Sequence, residues 1–146
     1  MLERANLLGA LVAVVFYVSA ILVFFFRLAG KPEAGRWIGV FELLLILPLG
    51  YLLLTAQQLD RPILYHIQVS LMLLWLLVEL LLDYVLKIDF RSVRWMVIGY
   101  VVLFFAGSGG MIGVAAEAGR GWTIAAVVLF LVMGVLAFVQ RAVTGM

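Results

Sequence analysis

The chain has 146 residues, of which 67% are apolar and 12% are charged, with ten basic against eight acidic side chains. A soluble domain carries about twice that charged share, and here the basic residues fall between apolar runs, a pattern that reports membrane topology and excludes a nucleic-acid footprint. With no cysteine and one histidine, His66, disulfides, thiolate metal sites, cysteine nucleophiles and multi-histidine metal centres are excluded as well.

A run of about 18 or more apolar residues can cross a bilayer as a helix, and the chain contains five such runs. They predict an all-α integral membrane protein, one polytopic domain over residues 1–146 folded as a five-transmembrane-helix bundle. The first helix is expected over residues 5–26. Its apolar run exceeds the roughly 7–15 residues of a signal peptide's apolar region, and Glu3 offsets Arg4 ahead of it, so it reads as a retained helix. RLAGKPEAGR, Arg27 to Arg36, reads as a polar loop. The second helix is expected over 37–56, kinked near Pro48, because proline removes a backbone hydrogen bond and clashes with the preceding turn.

QQLDRP, Gln57 to Pro62, reads as a tight turn into a third helix over 62–86, with Asp60 as its N-cap and Pro62 in its first turn. KIDFRSVR, Lys87 to Arg94, is the next loop, with Asp89 or Ser92 placed to cap the fourth helix. That helix covers 95–116 and runs unbroken through AGSGGMIG, since no proline interrupts it. EAGRG forms a short turn before the fifth helix, 122–140. Trp37, Trp95 and Trp122 stand at helix starts, where an amphipathic ring suits the headgroup level, whereas Trp75 lies mid-helix.

Three acids interrupt the helices: Glu42, Glu79 and Asp83. At about 100° per residue, Tyr65, Gln68, Met72, Trp75, Glu79 and Asp83 form one stripe on the third helix. The other faces are mostly leucine, isoleucine and valine, so the stripe should face protein or water and the aliphatics lipid. At 1.5 Å per residue, Glu79 lies roughly 12 Å inside Lys87, Asp83 roughly 6 Å, and Glu42 about 9 Å inside Arg36. All three therefore belong to one half of the bundle.

Two readings are open. In the first, the acids are structural: Asp83 pairs with Lys87, Arg91 or Arg94, and Glu42 and Glu79 bond to neighbouring helices. A charge at a helix centre costs about 2.5–3.5 kcal/mol on insertion scales and less near an interface, so this is tolerable. In the second, Glu42, Glu79 and Asp83 line a cytoplasm-facing cavity shaped by Gln68, Trp75 and Tyr65, which binds a small cation, a proton or a polar or lipid ligand. Oxygen-only ligands would suit a hard cation, with the metal unspecified. No cofactor is implied, and no catalytic residue is assigned: His66 and Ser70 lie one turn apart, but only Asp60 is near enough in sequence to orient the histidine.

Gly109 and Gly113 have GxxxG spacing, with Ala106 and Gly110 as a second small pair. Such residues let helix backbones approach, within the bundle, at a homodimer seam or at an unwound ligand site. The spacing is not that of a phosphate-binding loop, which also needs a lysine. The chain as a whole reads as a binding or transport protein of the cytoplasmic membrane, with the lipid bilayer around it, acting as a homo-oligomer or with a membrane partner. The alternative is an accessory protein that docks a partner through its helix surface.

An odd number of spans puts Arg4, Arg61 and Arg120 on one side of the membrane. Arg27, Lys31, Arg36, Lys87, Arg91, Arg94 and Arg141 fall on the other. Positive loops stay cytoplasmic, so the N-terminus is expected outside and the C-terminus inside. Reporters that are active on only one side of the membrane, fused at each end, should report an external N-terminus; a cytoplasmic one overturns the topology.

Overall fold

The protein is described by a computed structural model covering residues 2–58, 60–85 and 94–144. These residues form α1 (Leu2–Leu28), α2 (Pro32–Leu43), α3 (Ile46–Ala56), α4 (Ile63–Glu79) with a π-helical continuation Leu80–Val85, α5 (Arg94–Ala116) and α6 (Arg120–Thr144), with no strand among them. α2 and α3 together make one span, so five helical spans are long and apolar enough to cross a membrane. The expected loop at Lys87 to Arg94, with its caps Asp89 and Ser92, lies outside the described residues apart from Arg94.

The second span departs most from expectation. It begins at Pro32, inside the segment read as a polar loop. Gly30 explains the difference. It adopts φ +75°, and the Gly30 and Lys31 amides donate to the Arg27 and Phe26 carbonyls at 3.2 and 2.8 Å. This is a glycine helix stop that satisfies the last carbonyls of α1. The chain reverses in three residues, and Pro32 with Glu33 then suits a first helical turn. A Cβ on Gly35 would lie 3.3 Å from the Val23 carbonyl oxygen, so α2 runs close against α1.

The irregularity expected near Pro48 falls at Leu44–Leu45, one turn earlier. Pro48 has no N–H to offer the Leu44 carbonyl. That carbonyl instead accepts from the Leu47 amide at 3.1 Å, while the Leu44 and Leu45 amides bond to Phe41 and Glu42 at 3.0 Å. These are tight i→i−3 bonds, and Glu42 sits directly before them. α4 also changes character: its α geometry ends at Glu79 and gives way to the wider π form.

α1 lies at the heart of the bundle and contacts α2, α3, α5 and α6; α4 packs between α3 and α5, and α5 against α6. Half of the α1 span is buried, against 11% of the α6 span. Phe16, Tyr17, Trp75 and Phe104 build the aromatic centre, with Phe16–Trp75 rings 5.6 Å and Trp75–Phe104 rings 5.0 Å apart. The Tyr17 hydroxyl donates to the Ser108 carbonyl and ties α1 to α5.

α5 remains helical throughout its glycine-rich stretch. The residues that bring α5 onto α4 are Gly107, Gly110 and Gly113. A Cβ on Gly107 would stand 3.3 Å from the Leu71 carbonyl oxygen and the Met72 Cα, one on Gly110 3.3 Å from the Gln68 side chain, and one on Gly113 2.2 Å from Gln68 Nε2. Gly109 instead points to the Phe130 ring of α6 at 4.0 Å, and Ala106 is exposed. The interhelical seam therefore follows an i, i+3, i+6 row, one face of a helix. Trp37 and Trp95 project from the surface at the ends of their spans, 73% and 75% exposed, whereas Trp75 is buried.

Gly107 meets backbone, which cannot move aside. Gly107→Leu is expected to destabilise the purified protein by about 2 kcal/mol or more, the cost of overpacking a tight core. Gly50, whose Cβ would meet open space, should tolerate Ala with no loss. Thermal unfolding in detergent compares the two; equal stability of Gly107→Leu and wild type would refute the seam.

Candidate functional site

A cavity of about 110 Å³ opens near one end of the bundle, and every span contributes to its wall. Arg27 comes from the last turn of α1, Glu42 from α2, Trp75 and Glu79 from α4, Tyr100 and Phe104 from α5, and Gln140 and Arg141 from the last turns of α6. α1, α4 and α6 finish at this end and α2 and α5 start there. The topology alone thus brings these five segments together.

The two acids occupy the inner part. Glu42 is 2% and Glu79 8% exposed. Glu42 stands about two turns further into the bundle than Gly35, and its Cβ leans towards the start of α2, as helical side chains do, which is towards the cavity rim. Its Oε1 has no hydrogen-bond partner among the described residues. Glu79 and Arg27 line the same cavity, one with a negative and one with a positive group. Tyr100 donates its hydroxyl proton to Glu79 Oε1 at 3.4 Å. The floor is aromatic: Trp75 lies 6.0 Å from Tyr100 and 5.0 Å from Phe104, and Phe24 packs edge-on to Phe104 at 6.1 Å. Within this floor, Trp75 Nε1 is buried and also lacks a partner among the described residues. Arg27 is half-buried and Arg141 exposed, so the guanidinium groups form the rim.

Of the residues singled out from sequence, Glu42, Glu79 and Trp75 meet in this cavity. Asp83 falls in the π-helical turn, where a widened backbone replaces the α register that placed it one turn beyond Glu79; its side chain lies outside the described residues. Gln68 and Tyr65 sit elsewhere. Gln68 fills the groove over Gly110 and Gly113. Tyr65 belongs to a second polar cluster at the opposite end, where the Arg61 guanidinium lies 4.4 Å above its ring and 4.0 Å from Glu117 Oε2. His66 is half-buried and Ser70 exposed.

Periodicity and composition do not point to Arg27, Tyr100, Gln140 or Arg141 as site residues. Arg27 and Arg141 do carry a signal, since both close an apolar run at the end where the acids lie, but that position serves equally well as a topology marker. Tyr100 and Gln140 carry none, because a tyrosine or glutamine near a helix end is ordinary.

No protein-family model, curated protein or solved structure matches this chain. The chemistry of the cavity must therefore be read from its atoms. Among the described residues no group of three or more histidine, aspartate or glutamate side chains is placed to hold a metal ion. Two carboxylates fall short of the roughly six to eight oxygens that a calcium-like ion takes. The same two carboxylates above an aromatic floor suit a cationic group that brings its own N–H donors.

A buried acceptor without a partner costs roughly 1–3 kcal/mol. Glu42→Leu is therefore expected to raise the thermal stability of the ligand-free protein, by about 1 kcal/mol or more. A loss as large as that of a core deletion, about 2–5 kcal/mol, would show that Glu42 is a satisfied structural member.

Proposed function

We propose that this membrane protein binds a small organic cation in the cavity between Glu42 and Glu79, from the cytoplasmic half of the bilayer, with the N-terminus outside. The observation that carries the reading is the Glu42 carboxylate, 2% exposed with an oxygen that accepts no hydrogen bond among the described residues. Hydrocarbon makes such a group expensive, and a ligand ammonium is the kind of partner that offsets the cost. Trp75, Tyr100, Phe104 and Phe24 supply ring faces and edges around it, and a desolvated ammonium over an aromatic face gains about 2 kcal/mol. Binding is the core of this proposal; transport through a homo-oligomer is its extension, since five spans are few for a translocation path.

The full-length protein in detergent should bind ethylammonium by calorimetry, and saturating ligand should raise its melting temperature, by about 2.7 kcal/mol of stability at a hundredfold excess over Kd. Glu42→Gln keeps the shape and is expected to weaken binding by at least about tenfold. Unchanged affinity in Glu42→Gln, with the variant folded by circular dichroism, would overturn the assignment.

A further inference from the structure

We propose that the ligand is a small zwitterion of the aminoalkyl-phosphate type, with its primary ammonium between Glu42 and Glu79 and its phosphoryl oxygens towards Trp75, Arg27 and Arg141. This rests on the cation site above and adds the ligand's second half.

The first support is a pair of complementary buried groups, one acceptor and one donor. Glu42 Oε1 requires a donor and Trp75 Nε1 requires an acceptor, and neither has one among the described residues. Both side chains are more than nine-tenths buried, at 2% and 3% exposure, and both line the same cavity. An alkylammonium carries donors only, so it answers Glu42 and leaves the indole N–H of Trp75 unmet. A molecule with an N–H group and an oxyanion answers both.

The second support is the rim. Among the described residues neither Arg27 nor Arg141 is held in an ion pair, yet both line the cavity. A guanidinium presents a planar fork that matches carboxylate and phosphate. A carboxylate's two coplanar oxygens present one edge to such a fork, with lone pairs left for single contacts. A phosphoryl group, with three acceptor oxygens, accommodates two guanidinium groups and an indole N–H. The charges are also ordered along the cavity, with carboxylates inside and guanidinium groups at the rim.

Size and access agree. At about 110 Å³ the space is somewhat smaller than an apolar cavity of about 150 Å³ that takes up benzene, so it admits a headgroup and not a whole lipid. Phe138 lines the cavity and is 67% exposed on the outer surface of the bundle, where it stacks on Phe105 at 5.7 Å. Phe138 thus borders both the site and the outer surface of the bundle beside α6. A free phosphoethanolamine carries all three terminal oxygens; a phosphatidylethanolamine headgroup entering sideways keeps the ammonium and two terminal phosphoryl oxygens beside its ester oxygens.

The test compares two probes on the full-length protein in lipid-free detergent. Phosphoethanolamine should bind at least about tenfold tighter than ethylammonium, the margin expected from one or more charge-assisted hydrogen bonds. The double variant Arg27→Gln/Arg141→Gln should bring the two affinities together, and Trp75→Phe, which keeps a ring and removes the N–H, should narrow the gap. Equal affinities in wild type, with ethylammonium still bound, overturn the zwitterion and leave the cation site standing. So does a double variant, folded by circular dichroism, that keeps the whole advantage. Failure of ethylammonium to bind wild type overturns both. The source is resolved in nanodiscs. If phosphatidylethanolamine mixed into phosphatidylcholine weakens phosphoethanolamine binding, the occupant is a lipid headgroup; if binding is unaffected, it is a free solute, and either result supports the zwitterion.

Discussion

Five spans among the described residues are long and apolar enough to cross a membrane, and hydrocarbon does not solvate polar groups. Every backbone group in the spans must bond internally, which confines them to helices, and each buried side-chain oxygen or nitrogen needs a partner inside the bundle or in a ligand. Many large apolar side chains face outward, as Leu47, Leu54, Leu64 and Val135 do. Glu42 is one place where the constraint is left open: it is buried in the bundle, it lines the same cavity as Glu79, and one of its oxygens accepts no hydrogen bond among the described residues.

Both acids stand at breaks in helical regularity. Glu42 stands two residues before the tightened turn at Leu44–Leu45 and its carbonyl accepts from the Leu45 amide, and Glu79 is the last residue of α4 before the π-helical turn. One break is over-wound because Pro48 withholds an amide proton; the other is under-wound, of a kind that recurs at functional sites. Irregular backbone inside a membrane is tolerated where it borders protein or a cavity, and here the acids next to both breaks line one. A close approach of α5 to α4, made possible by Gly107, Gly110 and Gly113, packs the aromatic floor beneath them.

How much of this is legible in the sequence differs from residue to residue. The five spans follow from the length of the apolar runs. The acids at matching depth follow from helix rise, which is the same in every helix. Gln68 shows where periodicity stops. It shares a stripe with Glu79, yet the glycine row of α5 closes over it, and only the partner helix decides what a stripe faces. For the glycine seam, spacing finds Gly110 and Gly113 but pairs them with Ala106 and Gly109, while the contact runs through Gly107, Gly110 and Gly113. Small residues are dense enough in that stretch for several rows to qualify.

Sequence by itself determined the class of molecule, because hydropathy over some twenty residues needs no knowledge of neighbours. It also placed Glu42, Glu79 and Asp83 towards one end, because the depth of an acid within an apolar run is set by chain position. Tertiary structure alone decided that Glu42 and Glu79 meet, that Trp75 is a floor and not a membrane anchor, and that Arg27 and Arg141 join them from helices far apart in the chain. The reason is rotational. A helix fixes how far along its axis a residue lies, but which way that residue points is set by the close approach of other helices, and that depends on all of them at once.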